Sequence, residues 1–329
     1  MILAGDIGGT KTNLALFEIE DNVLHLHTKR QFSSRDYTSL TEIIHDFEEM
    51  AIVTIDAACF GIAGPVIDGR CRTTNLPWDI STSELQEDLQ SEQVHLLNDL
   101  EATAYGMLYL PEDEFIALNP TGRPFHGNRA VIAAGTGLGE AMLFYDGKAY
   151  HPIGSEGGHC DFASVTTQQD ELLSWMRKRF PGHVSYERIL SGPGVYTLYE
   201  FLKESGYAAE PASMMKIPEE KDRSAMVSEC ALNEKDPLCM ETLRLFTEIY
   251  GAEAGNLALK SMSLGGVYIG GGIAPKILPF MTSGHFMNGF ASKGRFEEML
   301  RGVQVKVSLN PETALLGAAH FALDTVYVP

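Results

Sequence analysis

The sequence predicts an α/β fold built from two similar halves. Three observations predict it. The chain starts with three strand-like runs and then alternates helix and strand, a β-β-β-α-β-α-β-α order over residues 2–110. The same order recurs from residue 129, with extra helices inserted. Each half also opens on a Gly-rich turn that joins two strands, "IGGTK" in the first and "GTGLG" in the second. Two such halves imply a cleft between them, where ligands often bind. The expected boundaries are a small domain of residues 1–110 with a C-terminal helix at 312–329, and a large domain of residues 111–311 with helical insertions.

The elements follow in order. "ILAGD" is a first strand and "TNLALFE" a second. In "VLHLHTKRQF" Leu24 and Leu26 alternate with His25 and His27, the period of a strand. In "YTSLTEIIHDFEEM" Leu40, Ile43, Ile44 and Phe47 fall at helical spacing. "AACFGIAG" returns to strand. "ISTSELQEDLQ" places Glu84 three residues after Ser81, which predicts a capping box at a helix start. "VHLLN" is a strand and "LEATAYGMLYL" a helix. In the second half "RAVIAAGTGLG", "EAMLFYDGKAY" and "AYHPIG" supply three strands. Helices follow in "QQDELLSWMRKRF" and "METLRLFTEIYGAEAGNLALKSM". Then come a strand in "GGVYIGGGI", a helix start in "PKILPFM", a strand in "VQVKVSL" and a last helix in "PETALLGAAHFAL". "GYAAEPASMMKIPEEKDRS" reads as a surface excursion.

Bulk properties exclude several function classes. A length of 329 residues suits two domains, and 44% hydrophobic residues is ordinary for a globular protein. The net charge of −19 offers no basic face, so no nucleic-acid partner is expected. No uninterrupted apolar segment approaches a membrane span, and "MILAGDIGGT" reaches Asp6 too soon for a signal peptide, so a cytoplasmic location without membrane contact is expected. The cysteines are Cys59, Cys71, Cys160, Cys230 and Cys239. None forms a C-x-x-C pair, which argues against zinc and for reduced thiols in structural roles.

The turn "GDIGGTKT" is neither a P-loop nor a G-x-G-x-x-G fingerprint, and it joins two strands rather than a strand and a helix. One reading is a hairpin that needs glycine for positive φ. The second copy supports another: two turns whose backbone N–H groups, with the Thr10 and Thr136 hydroxyls, cradle one polyphosphate. A third element, "YIGGGIAP", has Gly270 to Gly272 at a strand-to-helix junction. Glycines there let a ring or phosphate lie against the backbone, or else allow a close-packed turn. Together the three point to a nucleotide.

Other candidates are carboxylates and one imidazole. "VHLLNDLEATAYG" sets Asn98 and Asp99 at the mouth of a strand, as helix caps or as a working amide and carboxylate. Glu156 and His159 in "GSEGGHCDF" have metal-pair spacing, yet no further ligand cluster accompanies them. Glu187 opens "ERILSGPG" and reads locally as a first-turn helix residue; Asp6 reads as a polar residue at a hairpin.

Seven motifs in order carry a resemblance: "GDIGGT" at 5–10, "LLNDLEATAYG" at 96–106, "AAGTGLG" at 133–139, "GSEGGHCDF" at 154–162, "ERILSGPG" at 187–194, "GNLAL" at 255–259 and "GGVYIGGGIAPK" at 265–276. Over essentially the whole chain the sequence resembles the bacterial glucokinase family, ATP-dependent hexose kinases of the actin-like ATPase superfamily. The resemblance implies two actin-like (ribonuclease H-like) domains. It implies transfer of phosphate from MgATP to the 6-hydroxyl of D-glucose, the first step of glycolysis. It makes Asn98, Asp99, Glu156, His159 and Glu187 sugar binders, with Asp99 the catalytic base. It assigns Gly5, Asp6, Ile7, Gly8, Gly9, Thr10, Thr136 and Gly137 to the nucleotide phosphates and Gly271 and Gly272 to adenosine, with Asp6 holding Mg²⁺ through water. The partners implied are glucose and ATP, and a homodimer is allowed on the same ground alone.

Two details bear on the branch. "GGTKT" also resembles a wider family of sugar kinases and repressors, whose members often carry a cysteine-rich zinc motif after Gly-His. "GGHCDF" keeps Gly158 and His159 but has one cysteine, which supports the metal-free glucokinase branch. A repressor would need an N-terminal DNA-reading domain, and the first strand already begins at residue 2. The alternatives are a kinase for another hexose or an amino sugar, and a non-catalytic sugar and nucleotide sensor. Asp99 counts against the sensor, since binding alone needs no base.

Overall fold

The computed structural model describes residues 1–47, 53–73, 75–123, 125–215 and 221–327. They fall into two units. One comprises Met1–Glu114, Ala141–Gly154 and Asn310–Pro329; the other comprises Phe115–Glu140 and Ser155–Leu309.

The alternating apolar runs at the N-terminus fold as an antiparallel meander of β1 (Ile2–Ile7), β2 (Lys11–Glu20) and β3 (Val23–Ser33). After α1 (Leu40–His45), β4 (Ala57–Ile62) pairs parallel to β1, and all six of its residues are buried. The expected helix begins at Leu40, where the Ser39 hydroxyl accepts the Glu42 N–H; residues 48–50 of it lie outside the described residues. Next come β5 (Val66–Ile67), β6 (Arg70–Arg72) and β7 (Asp79–Ser81), a small antiparallel sheet absent from the sequence reading. Strands of two or three residues carry no periodicity to detect. Helix α2 (Thr82–Leu89), strand β8 (Val94–Asn98) and helix α3 (Asp99–Gly106) complete the expected plan, with sheet order β3-β2-β1-β4-β8. The expected Ser81–Glu84 capping box does not form. The Ser81 hydroxyl bonds the Ser83 hydroxyl at 2.7 Å and accepts no backbone N–H, a local bond that competes with capping.

The second sheet has the order β12-β11-β10-β13-β14-β9, from β9 (Phe115–Ala117), β10 (Arg129–Ala134), β11 (Leu138–Tyr145), β12 (Tyr150–Ser155), β13 (Val267–Gly270) and β14 (Val305–Ser308). Strands β10, β13 and β14 run parallel, and the short antiparallel edge β9 was not foreseen. Between β12 and β13 lie α4 (Thr167–Arg179), α5 (Gly192–Glu204), α6 (Ala212–Met215), α7 (Arg223–Glu229) and α8 (Pro237–Ser261). Of these, α4 and α8 are the inserted helices that the sequence names, while α5, α6 and α7 were not individually foreseen. The expected surface excursion at 206–224 holds α6 and the start of α7, and its residues 216–220 lie outside the described residues. Helices α9 (Leu278–Met281), α10 (His285–Ala291) and α11 (Glu297–Arg301) precede β14, and α12 (Thr313–Tyr327) ends the chain.

Helix α12 packs Leu315, Ala318, Ala319 and Ala322 against Ile2, Ala4, Ala57 and Cys59 of β1 and β4. Small residues let α3 into the same layer. A Cβ on Gly317 would stand 1.8 Å from the Ala102 carbonyl oxygen, and one on Gly106 would stand 2.0 Å from that of Thr313. Below α3, a Cβ on Gly61 of β4 would stand 2.8 Å from that of Ala102. These contacts seat α3 closely on α12 and β4. Among the described residues no helix is long and apolar enough to cross a membrane.

Candidate active site

The strand-to-helix junction at Asn98–Asp99 is built by a reciprocal cap. Asn98 is the N-cap of α3; its side-chain oxygen accepts the Leu100 N–H at 2.9 Å. Glu101 reaches back to accept the Asn98 N–H at 2.8 Å. This is the capping box that Asn-x-x-Glu encodes, and the sequence reading passed over it. The Asn98 amide donates to the Gly64 carbonyl at 3.0 Å. Asp99 is the first helical residue, half-buried, and its Oδ1 also accepts from Leu100 N at 2.9 Å. A carboxylate at a helix N-terminus is favoured by the dipole and held in one orientation. Asn98 is thus the cap with Asp99 beside it, and the cap leaves the chemical reading of the two residues open.

In the same unit, Asp6 lies near the end of β1, opposite Asn13 of β2, whose amide donates to it at 3.2 Å. Burial holds the Asp6 carboxyl above the usual carboxylate range, against the lowering effect of the Asn13 bond. Gly5 and Ile7 lie within β1; a Cβ on Gly5 would strike Phe60 at 2.5 Å, so glycine is needed there for packing. The turn over Gly8, Gly9 and Thr10 is closed by Gly8 N–H to Lys11 carbonyl at 2.9 Å. Neither Gly8 nor Gly9 has the positive φ that a hairpin reading required. Glycine serves for space instead, since a Cβ on Gly9 would meet the Asn75 side chain at 2.6 Å. Thr10 is exposed.

The second unit brings together Glu156, His159 and Glu187. Residues 157–159 make one 3₁₀ turn after β12. Its glycines seat it tightly: a Cβ on Gly157 would stand 2.0 Å from Glu140 Oε2, and one on Gly158 would stand 2.1 Å from the Leu138 carbonyl oxygen. The segment carrying Glu187 runs alongside, with Glu187 N–H donating to the Gly158 carbonyl at 2.9 Å and Tyr186 N–H to that of Cys160 at 3.1 Å. Glu187 sits in a turn ahead of α5, not in a first helical turn as its local reading held. Its Oε2 accepts the Leu138 N–H at 3.0 Å, a contact no sequence spacing reveals. His159 stands between two carboxylates, Nε2 at 4.0 Å from Glu156 and Nδ1 at 4.0 Å from Glu187. Those distances are too long for direct hydrogen bonds, so donors and acceptors remain for hydroxyl groups.

The turn over residues 135–137 faces the same region through Glu187, which a Cβ on Gly137 would meet at 2.5 Å. Gly135 N–H closes the turn on the Gly137 carbonyl at 2.8 Å, and Thr136 is exposed. Gly192, at the start of α5, donates its N–H to the Gly135 carbonyl at 2.8 Å. The helix N-terminus of α5 thus lies against the turn, a neighbour that adds positive potential and that sequence reading did not assign. After β13, Gly271 has φ +78°, and a Cβ there would stand 2.3 Å from the Ala134 carbonyl oxygen. Only glycine fits. A Cβ on Gly272 would meet nothing within 4 Å, so the space beside it is open.

The family model described as Glucokinase matches residues 3–325. The chain belongs to the glucokinase family. It is 39% identical to the glucokinase of Synechocystis sp., over 98% of each chain. It is 40% identical to that of Nostoc punctiforme, over 97% of this chain and 98% of the relative. A solved glucokinase from an Antarctic psychrotroph superposes with a TM-score of 0.85 at 31% identity, covering 98% of both chains. The fold expected from the motifs, a two-domain actin-like ATPase, is the fold of this family.

Proposed function

We propose that the protein is an ATP-dependent glucokinase, transferring the γ-phosphoryl group of ATP to the 6-hydroxyl of D-glucose to give glucose 6-phosphate and ADP, the first step of glycolysis. The observation that carries the reading is its identity of 39% and 40% to proteins named glucokinase over nearly full length. The same reading takes the enzyme as cytoplasmic and allows a homodimer.

In this reading Asn98, Asp99, Glu156, His159 and Glu187 bind the sugar. Carboxylates accept its hydroxyl protons, while the imidazole and the amide donate to its oxygens. Asp99 orients the 6-hydroxyl for in-line attack and accepts its proton as the bond to phosphorus forms. Phosphoryl transfer depends mostly on positioning and charge neutralisation. The phosphates of ATP lie against Gly8, Gly9 and Thr10, next to Gly5, Asp6 and Ile7, and against Thr136 and Gly137. Adenosine lies on Gly271 and Gly272, with open space beside Gly272. Asp6 fits Mg²⁺: it is a hard oxygen donor in a desolvated position where a cation would relieve the cost of its charge. When bound, the ion neutralises charge on the phosphates.

Asp99→Asn tests the assignment of the base. Asparagine keeps the size of aspartate and a side-chain oxygen for the Leu100 N–H, while Asn98 remains the cap. The expected result is a kcat at least about 10²-fold lower, with glucose binding by calorimetry and the melting temperature little changed. Turnover near the wild-type rate would show that Asp99 is not the base.

A further inference from the structure

The second unit holds a cluster of metal-ligating side chains that the kinase reaction does not use. Cys230, Asp236 and Cys239 each offer a ligand atom, and these atoms all lie within 4.8 Å of one another. We propose that Cys230, Asp236 and Cys239 form a binding site for a thiophilic divalent cation of the zinc class.

The backbone path creates the proximity. Cys230 opens a π-helical turn, Cys230–Glu234, that follows α7. Lys235 then takes a left-handed conformation, φ 58°, unusual for a residue with a side chain. Asp236 caps α8, and Cys239 is the third residue of that helix. π-Turns recur at functional sites. A C-x₈-C spacing is no zinc signature, so the site is visible only in three dimensions.

The geometry suits a tetrahedral ion. Zinc–sulfur bonds of about 2.3 Å and zinc–oxygen bonds of about 2.0–2.2 Å hold ligand atoms roughly 3.5–3.8 Å apart. Atoms already within 4.8 Å need to close by about 1 Å at most. Asp236 is oriented by its cap, because Oδ1 accepts the N–H groups of Leu238 at 2.9 Å and Cys239 at 3.0 Å. That leaves Oδ2 for the ion, with the two N–H groups as an outer shell. Glu234 Oε2 accepts from the Cys230 thiol at 3.5 Å and from the Ser213 hydroxyl at 2.9 Å. On binding, the Cys230 proton passes to Glu234 and on to water, the Cys239 proton leaves to water, and two S–metal bonds form. Water fills the fourth position. The helix dipole of α8 favours the resulting anionic ligand set. Two thiolates select zinc-like ions over Mg²⁺ or Ca²⁺. The cysteines are buried while Asp236 is half-buried, which gives the ion a way in. Bound metal would clamp the π-turn to the start of α8. The site is separate from the Gly158-His159-Cys160 stretch and does not depend on the kinase reading.

The test is titration of chelator-treated, reduced protein with Co²⁺ alone. Expected is one ion bound per chain, with thiolate-to-cobalt charge-transfer absorption that Zn²⁺ displaces. Cys230→Ser and Cys239→Ser should each abolish the absorption, while Cys160→Ser, at the one exposed cysteine, should leave it intact. Asp236→Asn retains the cap and should weaken Co²⁺ binding by about tenfold or more, with an unchanged circular-dichroism spectrum. No charge-transfer absorption in the wild-type protein overturns the proposal. So does absorption that survives both serine substitutions or vanishes with Cys160→Ser.

Discussion

Replacing Glu140 by glutamine should flatten the dependence of stability on pH. Glu140 lies on β11, is 1% exposed, and packs beneath the 3₁₀ turn that carries Glu156 and His159. Burial pushes its carboxyl up from 4.5 to about 7; the Glu253 carboxylate adds to the rise, and Lys260 opposes it. The unfolded chain ionises at the ordinary, lower value. Between the two values the unfolded state binds fewer protons than the native state, so stability falls as pH rises. The contribution is whole below about pH 4.5 and lost once pH has risen through about 7. The gap between 4.5 and about 7 corresponds to about 3 kcal/mol, at about 1.4 kcal/mol per pH unit. Part of the loss is already complete at pH 5, which leaves roughly 2–3 kcal/mol between pH 5 and pH 8. Glutamine has nearly the same shape and does not ionise. Any cost of its amide is the same at both pH values and cancels. The assay is urea unfolding of both proteins near pH 5 and near pH 8. The wild type should lose roughly 2–3 kcal/mol more than the variant across that interval. Parallel losses in the two proteins would refute the reasoning.

Two further substitutions test how the sugar side is held in place. Gly317→Ala drives a methyl group to 1.8 Å from the Ala102 carbonyl oxygen, and should cost about 1–3 kcal/mol or more by forcing α3 and α12 apart; an unchanged melting temperature would contradict that packing. Asn98→Ala removes one of the two acceptors for Leu100 N–H and the donor to Gly64, and should cost about 0.5–2 kcal/mol; in calorimetry it should also weaken glucose binding, and a variant neutral in both measurements would remove Asn98 from the cap and the site alike.

The long periodic segments were legible from sequence. Helices α4 and α8 and the meander β1–β3 formed where the apolar patterns placed them, although the β2–β3 ladder shifts register between Leu16 and Phe17 and leaves Leu26 exposed. Strands β5–β7 and β9 were not legible, because a pair or triplet of residues has no period. Chemistry at chain turns was legible in part. Gly8 and Gly9 were recognised as a turn, but they are glycines because Asn75 and Lys11 crowd them, not because φ is positive. The tighter of the two contacts, Asn75 on Gly9, comes from a residue distant in sequence. A capping box was expected at Ser81 and only a cap at Asn98, yet Ser83 takes the Ser81 hydroxyl while Glu101 completes a box at Asn98. Glu187 looked like an ordinary helix residue; its bond to Leu138 N–H and its place beside His159 come from two segments folding side by side. The candidate sites were found through the order of whole motifs, since each motif alone has a structural explanation.

The most direct test of the account is a coupled assay of ADP release with ATP, Mg²⁺ and a panel of glucose, galactose, fructose and glucosamine, with the product identified. Polar groups placed for one set of hydroxyls penalise a sugar that leaves them unpaired. Expected are glucose-dependent ADP release, glucose 6-phosphate as product, and kcat/KM for glucose at least about tenfold above the other sugars. Comparable values across the panel would contradict the sugar assignment, and binding of glucose without any ADP release would contradict the kinase itself.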